Sequence, residues 1–150
     1  MTRILFICHG NICRSPMAEM IMKKLVADCC REHQFVIDSA AVSTEELGNP
    51  IYPPAKRIMR QHGIPFTDHR ARQVTRLDYG NYDLLVCMDA SNLRWLRRFI
   101  PDGDPEGKVR LLMEFTGVYR DVADPWYTDD FETAYRDILS GCEALLKVTQ

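Results

Sequence analysis

The sequence lacks any long apolar run. Its opening, Met1-Thr2-Arg3, leads only five apolar residues, Ile4 to Cys8, before His9-Gly10-Asn11 interrupts them. Such a run is too short for the core of an export signal and far too short to cross a bilayer, and no other segment does better, so no membrane partner is expected. An excess of one charge is missing too. With 19 Lys and Arg against 21 Asp and Glu, no basic nucleic-acid footprint is left in the total, and no nucleic-acid partner is expected. There is no internal repeat, low-complexity tract or interdomain linker. A chain of 150 residues is therefore expected to form a single domain, 1–150, around one core.

Cysteine is present but not as a scaffold. Cys29 and Cys30 are adjacent and no export signal precedes them, so a reducing, cytoplasmic compartment is expected. No Cys-x2-Cys pair or His cluster has metal-ligand spacing, so neither a metal nor another cofactor is expected. Cys29, Cys30, Cys87 and Cys142 read as small buried hydrophobes. The arginines Arg70, Arg72, Arg76, Arg94, Arg97 and Arg98 read as solvated faces.

What is there is an alternation of strands and helices. Ile4-Leu5-Phe6-Ile7-Cys8 is a continuous β-favouring run, as in a strand buried on both faces of a parallel sheet. A helix follows at once: Ser15 can cap it, Pro16 suits its first turn, and Met17, Met20, Ile21 and Leu25 share one face. A second strand is predicted at Phe35 to Ala40, and a helix carrying Ala55, Ile58, Met59 and His62 is stopped by Gly63 and Pro65. Leu84 to Met88 makes a third strand, with Ser91 as cap of a short helix carrying Leu93, Leu96 and Ile100. A fourth strand falls near Val109 to Leu112. The last helix, with Phe131, Ala134, Tyr135, Ile138, Leu139, Cys142, Leu145 and Leu146 in register, starts behind Asp129 and Asp130 at the positive end of its dipole. This pattern predicts an α/β three-layer sandwich: a central four-stranded parallel sheet, helices on both faces, and a ligand site at the carboxyl ends of strands.

The first such strand end opens the loop Cys8-His9-Gly10-Asn11-Ile12-Cys13-Arg14-Ser15-Pro16, a Cys-x5-Arg pattern between strand and helix. A loop of this length can curl so that successive backbone N–H groups form an anion nest at a helix N-terminus. Arg14 supplies a planar donor for two oxygens of a phosphoryl group. A thiol at the centre of that field is favoured as its anion, which makes Cys8 a nucleophile aimed at phosphorus.

The loop resembles the signature of the low-molecular-weight protein tyrosine phosphatases at every position but His9, which that family varies. Asp38-Ser39-Ala40, Gly48-Asn49-Pro50, His62-Gly63-Ile64, Ala71-Arg72-Gln73, Cys87-Met88-Asp89 with Ser91-Asn92, Asp124-Pro125 and Asp130-Phe131-Glu132 extend the likeness nearly from end to end. It implies a four-stranded parallel sheet and metal-free hydrolysis of phosphate monoesters, the substrate being a phosphotyrosine-containing protein or a small aryl phosphate. It makes Cys8 the nucleophile, Arg14 the phosphate clamp and Asp124 the general acid and base, with Asp121, Asp129 and Asp130 as rivals for the last role. Ser15 resembles the hydroxyl that bonds the thiolate. Asn11 resembles the residue that pins the loop, with Ser39 its expected partner. Glu19, Asp38 and His69 match a buried polar network beneath the loop. His9, Gly10, Ile12 and Cys13 line the cradle, and Trp126 and Tyr127 stand where paired aromatics wall a slot for an aryl phosphate.

One wall departs from the family. In Ser43-Thr44-Glu45-Glu46-Leu47, Glu45 stands where an aromatic often lines the slot, and two carboxylates there disfavour acidic substrates. Three other activities remain to be weighed. An arsenate reductase needs a cysteine relay, for which Cys87 has no partner a short loop away. A protein-arginine phosphatase carries a smaller polar residue where Ile12 stands. A noncatalytic anion-binding module would usually have lost Cys8, Arg14 or Asp124. Finally, Cys13 in the same curled loop as Cys8 is placed to trap an oxidised Cys8 as a disulfide, so redox sensitivity is expected.

Overall fold

The computed structural model describes residues 1–149. Its sheet has four strands, β1 (Thr2–Cys8), β2 (Phe35–Ala41), β3 (Leu84–Cys87) and β4 (Val109–Leu111). Their order is β2-β1-β3-β4, and all three pairings are parallel. Ile4 to Cys8 are all buried, because a central parallel strand has covered faces on both sides and can carry an unbroken apolar run.

Six helices connect and cover the strands: α1 (Arg14–Asp28), α2 (Pro53–Gln61), α3 (Leu77–Asn81), α4 (Ala90–Leu96), α5 (Pro125–Thr128) and α6 (Phe131–Val148). Alternation along β1 divides the core. Ile4 and Phe6 pack with Met17 and Ile21 of α1, Ile58 and Met59 of α2, and Ile138 and Leu145 of α6. Leu5 and Ile7 face the other way, toward Tyr79 of α3 and Leu96 of α4. These are the three layers predicted, and β1 lies where the strand order reverses, so the loop after Cys8 opens at the switch point.

Three local expectations need correcting, and one short helix was not expected. Ser15 does not cap α1; the helix starts at Arg14, Cys13 holds the cap position without a side-chain bond, and Ser15 is turned toward Cys8 instead. Ser91 does not cap α4. Asp89 does, accepting the Asn92 N–H at 2.8 Å while Asn92 Oδ1 accepts the Asp89 N–H at 3.2 Å, a reciprocal capping box. Cys29 and Cys30 are exposed, since α1 ends at Asp28 and Cys30 turns the chain away at φ 55°. The short α3 lies where no helical period is long enough to be seen.

Helix α6 closes over a 3-10 turn, Leu112–Thr116, and Gly141 makes this possible. A Cβ at 141 would stand 2.5, 2.9 and 3.0 Å from three side-chain atoms of Leu112, itself fully buried. Helix propensity alone favours alanine over glycine by about 1 kcal/mol. Overpacking against three atoms of an immobile leucine costs about 1–3 kcal/mol, and contacts this close put it at the upper end. Gly141→Ala is therefore expected to lower the urea midpoint with an unchanged slope, and a midpoint at or above that of the parent would refute the packing argument.

Candidate active site

The loop after β1 is held by one residue in an uncommon conformation. Asn11 has φ 60°, a left-handed geometry that asparagine tolerates better than most residues. Its fully buried side chain fixes it there: Nδ2 donates to Ser15 Oγ at 2.8 Å and Ser39 Oγ at 3.0 Å, and Oδ1 accepts the Arg72 N–H at 3.2 Å. Asn11 thus combines tolerance of the left-handed turn with side-chain bonds that tie the loop to Ser15, Ser39 and Arg72.

The turn aims donors at Cys8. The Asn11 N–H points at Sγ from 3.3 Å, and Ser15 Oγ lies 3.0 Å from the same sulfur. Because Ser15 Oγ already accepts from Asn11, its own hydrogen is free for the Cys8 sulfur. Among the described residues, the backbone N–H groups of Gly10, Ile12, Cys13 and Arg14 have no protein acceptor, as an anion nest requires.

Arg14 is almost wholly buried. Its Nη1 donates to Asp89 Oδ2 at 2.8 Å and to the Val122 carbonyl at 2.7 Å, and Nη2 reaches Asp124 Oδ2 at 3.4 Å. Burial works against the guanidinium charge, but Cys8, Asp124 and Asp89 outweigh it and hold its pKa above the ordinary value. The two short anchoring bonds go to Nη1, which leaves Nε and the second Nη2 hydrogen for a phosphoryl group.

These groups share a cleft lined by Cys8, His9, Gly10, Ile12, Cys13, Arg14, Glu45, Glu46, Asp124, Trp126 and Tyr127. Of the four aspartates weighed as acids, only Asp124 lines it. Asp121 accepts the Ala90 N–H, Asp129 turns the chain at φ 58°, and Asp130 caps α6 through Thr133. Asp124 caps α5 through the Trp126 N–H at 3.0 Å, leaving Oδ2 toward Arg14. Trp126 packs on Tyr52 with ring centroids 5.0 Å apart, and Tyr52 stacks on Phe131. Tyr127 is 85% exposed, so it walls the slot from the rim.

Beneath the loop, Ser39 Oγ donates to Glu19 Oε1 at 2.6 Å, Lys23 Nζ donates to Glu19 Oε2, and His69 Nε2 meets the Asn11 carbonyl at 3.0 Å. Asp38 is not in this network. Side chains alternate along a strand, so Ser39 points toward Glu19 while Asp38 points to the opposite face, where Tyr82 Oη donates to it at 2.7 Å. Burial and that carboxylate push the Tyr82 phenol up to about 12.

A family model for low molecular weight phosphotyrosine protein phosphatases matches residues 3–150. This chain belongs to that family. The low molecular weight phosphotyrosine protein phosphatase of Gallus gallus is 43% identical, across 96% of this chain and 93% of its own. The low molecular weight protein-tyrosine-phosphatase YfkJ of Bacillus subtilis is 40% identical across 100% and 97%. The crystal structure of YfkJ aligns with a TM-score of 0.95 at 38% identity, covering 100% of this chain and 95% of that one. A Drosophila arginine phosphatase aligns with a TM-score of 0.90 at 31% identity, covering 100% and 98%.

Within this phosphatase fold, sequence reasoning passed over Asp89, the Val122 carbonyl and Tyr52. Asp89 was visible only as part of a matched Cys87-Met88-Asp89 string; its position just past β3, beside the switch point, is the signal that would have singled it out. Ser39→Ala tests the support beneath the loop. It leaves Glu19 and Asn11 each short of a partner, and one orphaned buried polar group costs about 1–3 kcal/mol. The variant is expected to unfold at lower urea and to bind inorganic phosphate more weakly; unchanged phosphate affinity in calorimetry would show that the loop holds without it.

Proposed function

We propose that this chain, read as one phosphatase domain over residues 1–150, hydrolyses phosphotyrosine in proteins and small aryl phosphates through a phosphocysteine intermediate. The observation that carries the reading is the convergence on Cys8 Sγ of the Asn11 N–H and Ser15 hydroxyl, with Arg14 and Asp124 in the same cleft. Arg14 and the loop N–H groups hold the three phosphoryl oxygens. The Cys8 thiolate attacks phosphorus, the P–O bond to the aryl group breaks, and the Asp124 carboxyl gives its proton to the departing oxygen. Asp124, now a carboxylate, takes a proton from the water that attacks phosphocysteine; the S–P bond breaks, and phosphate leaves with the thiolate restored. Each step finds its group within the chain, and none calls on a metal.

Ile12 lines the slot and crowds a branched guanidinium phosphate more than a flat aryl ester, which favours phosphotyrosine over phosphoarginine. Cys13 lines the cleft with Cys8, and its own thiol is pushed up, chiefly by burial. Its place beside Cys8 in the cleft supports its role as a partner for Cys8 once Cys8 is oxidised, while the raised thiol pKa makes its attack slow. The cysteines of the described residues are all free, which supports a cytoplasmic, reducing compartment. No helix is long and apolar enough to cross a membrane.

Cys8→Ser is expected to keep phosphate affinity and lose turnover, because the nest and Arg14 survive; more than trace hydrolysis of an aryl phosphate would exclude Cys8 as nucleophile. Asp124→Ala is expected to slow esters of weakly acidic phenols by about 10²- to 10⁴-fold and those of strongly acidic phenols far less. An equal loss along a leaving-group series would remove Asp124 from proton transfer.

A further inference from the structure

One side of the cleft is built from residues that the reaction does not use. His9 Nε2 and Glu45 Oε2 are 2.8 Å apart. The His9 ring is braced edge-on against Trp95, centroids 5.3 Å apart. The Glu45 backbone N–H meets Ser43 Oγ, whose hydroxyl donates to the His9 carbonyl at 3.0 Å. The loop carrying Glu45 is thus tied to His9 of the phosphate loop at two points, and its carboxylate is held at the mouth of the slot. Among the described residues, Glu45 Oε1 makes no hydrogen bond, while Glu46 lies over Gly10 and is engaged through Oε2 by Asn49.

The phosphoryl position fixes what meets this wall. Arg14 is the only Lys or Arg lining the cleft, and it is buried at the floor. With phosphorus beside Cys8 and the tyrosine ring against Trp126, the peptide on either side would leave the cleft past Tyr127 and Glu45, which line its mouth. Residues flanking the phosphotyrosine therefore enter a field set by a braced carboxylate rather than by a second aromatic. We propose that Glu45 is a specificity-determining residue that selects phosphotyrosine peptides with arginine or lysine beside the phosphotyrosine over peptides with acidic neighbours. The proposal rests on phosphotyrosine hydrolysis at Cys8. A cation there meets Oε1, whereas a glutamate meets a like charge that His9 only partly offsets.

The test uses two phosphotyrosine peptides of identical length, with arginine or glutamate at both flanking positions, and para-nitrophenyl phosphate, which has no flanks. Rim ion pairs are weak, so the ratio of kcat/KM for the basic over the acidic peptide is expected to be about three- to tenfold in low salt and to shrink as salt is raised. In Glu45→Gln the ratio is expected to fall most of the way to one. Ratios within one protein are unaffected by any general loss of activity, so the comparison survives a poorly active variant. A parent ratio of one, or a ratio unchanged in Glu45→Gln, overturns the proposal while hydrolysis of the small ester leaves the phosphatase reading standing. Failure to hydrolyse all three substrates overturns both.

Discussion

A buried guanidinium has to be held, and in this protein the holding of Arg14 organises the site. Its Nη1 binds a carboxylate from the end of β3 and a carbonyl from the segment that leads into α5, while Nη2 faces Asp124. Two stretches of chain, distant in sequence from Arg14 and from each other, are drawn to one cation. Removing either anchor would strand a charge in the interior, which costs far more than an exposed pair ever contributes. The clamp therefore costs little to reorganise when a dianion arrives, because its orientation is already fixed by groups that do not react.

The same economy governs the loop. A left-handed residue between strand and helix is strained unless its surroundings insist on it, and the buried side chain of Asn11 finds three partners that do so. The left-handed turn aims N–H groups inward, and its side chain passes the constraint to Ser39 on β2 and to Glu19 on α1. The sheet register is what makes this possible. β2 pairs with β1 so that Ser39 stands beside Phe6 and Ala41 beside Cys8.

Much of this was legible in the residues. The unbroken run Ile4 to Cys8 and the helical period behind it announce a buried parallel strand feeding a helix, and Cys8 and Arg14 follow from the chemistry a phosphoryl group needs, while the roles of Asn11 and Ser15 came with the family resemblance. Less legible were groups whose roles depend on which way a strand faces or where a helix starts. Asp38 and Ser39 are neighbours in sequence but opposite in space. Ser15 and Ser91 both look like caps, yet in each case the helix begins earlier than the hydroxyl suggests. The vicinal Cys29 and Cys30 look apolar, but they follow the end of α1 and lie in solvent. The Val122 carbonyl had no signal at all, since any residue supplies one.

Asp89 carries two duties on one short stem. Its Oδ1 closes the N-terminus of α4 and its Oδ2 holds Arg14, so the first turn of that helix and the clamp share a single pivot. The same helix carries Trp95, against which His9 leans at the mouth of the cleft. Floor and rim are thus mounted on one rigid lever seven residues long. A glutamate at 89, with the same charge but one more methylene, would have to abandon one of its two partners, so charge alone does not qualify a residue for the position. Geometry that registers a helix against an arginine to within a bond length tolerates little drift. His9 at the rim and Arg14 at the floor therefore share one short helix as their support.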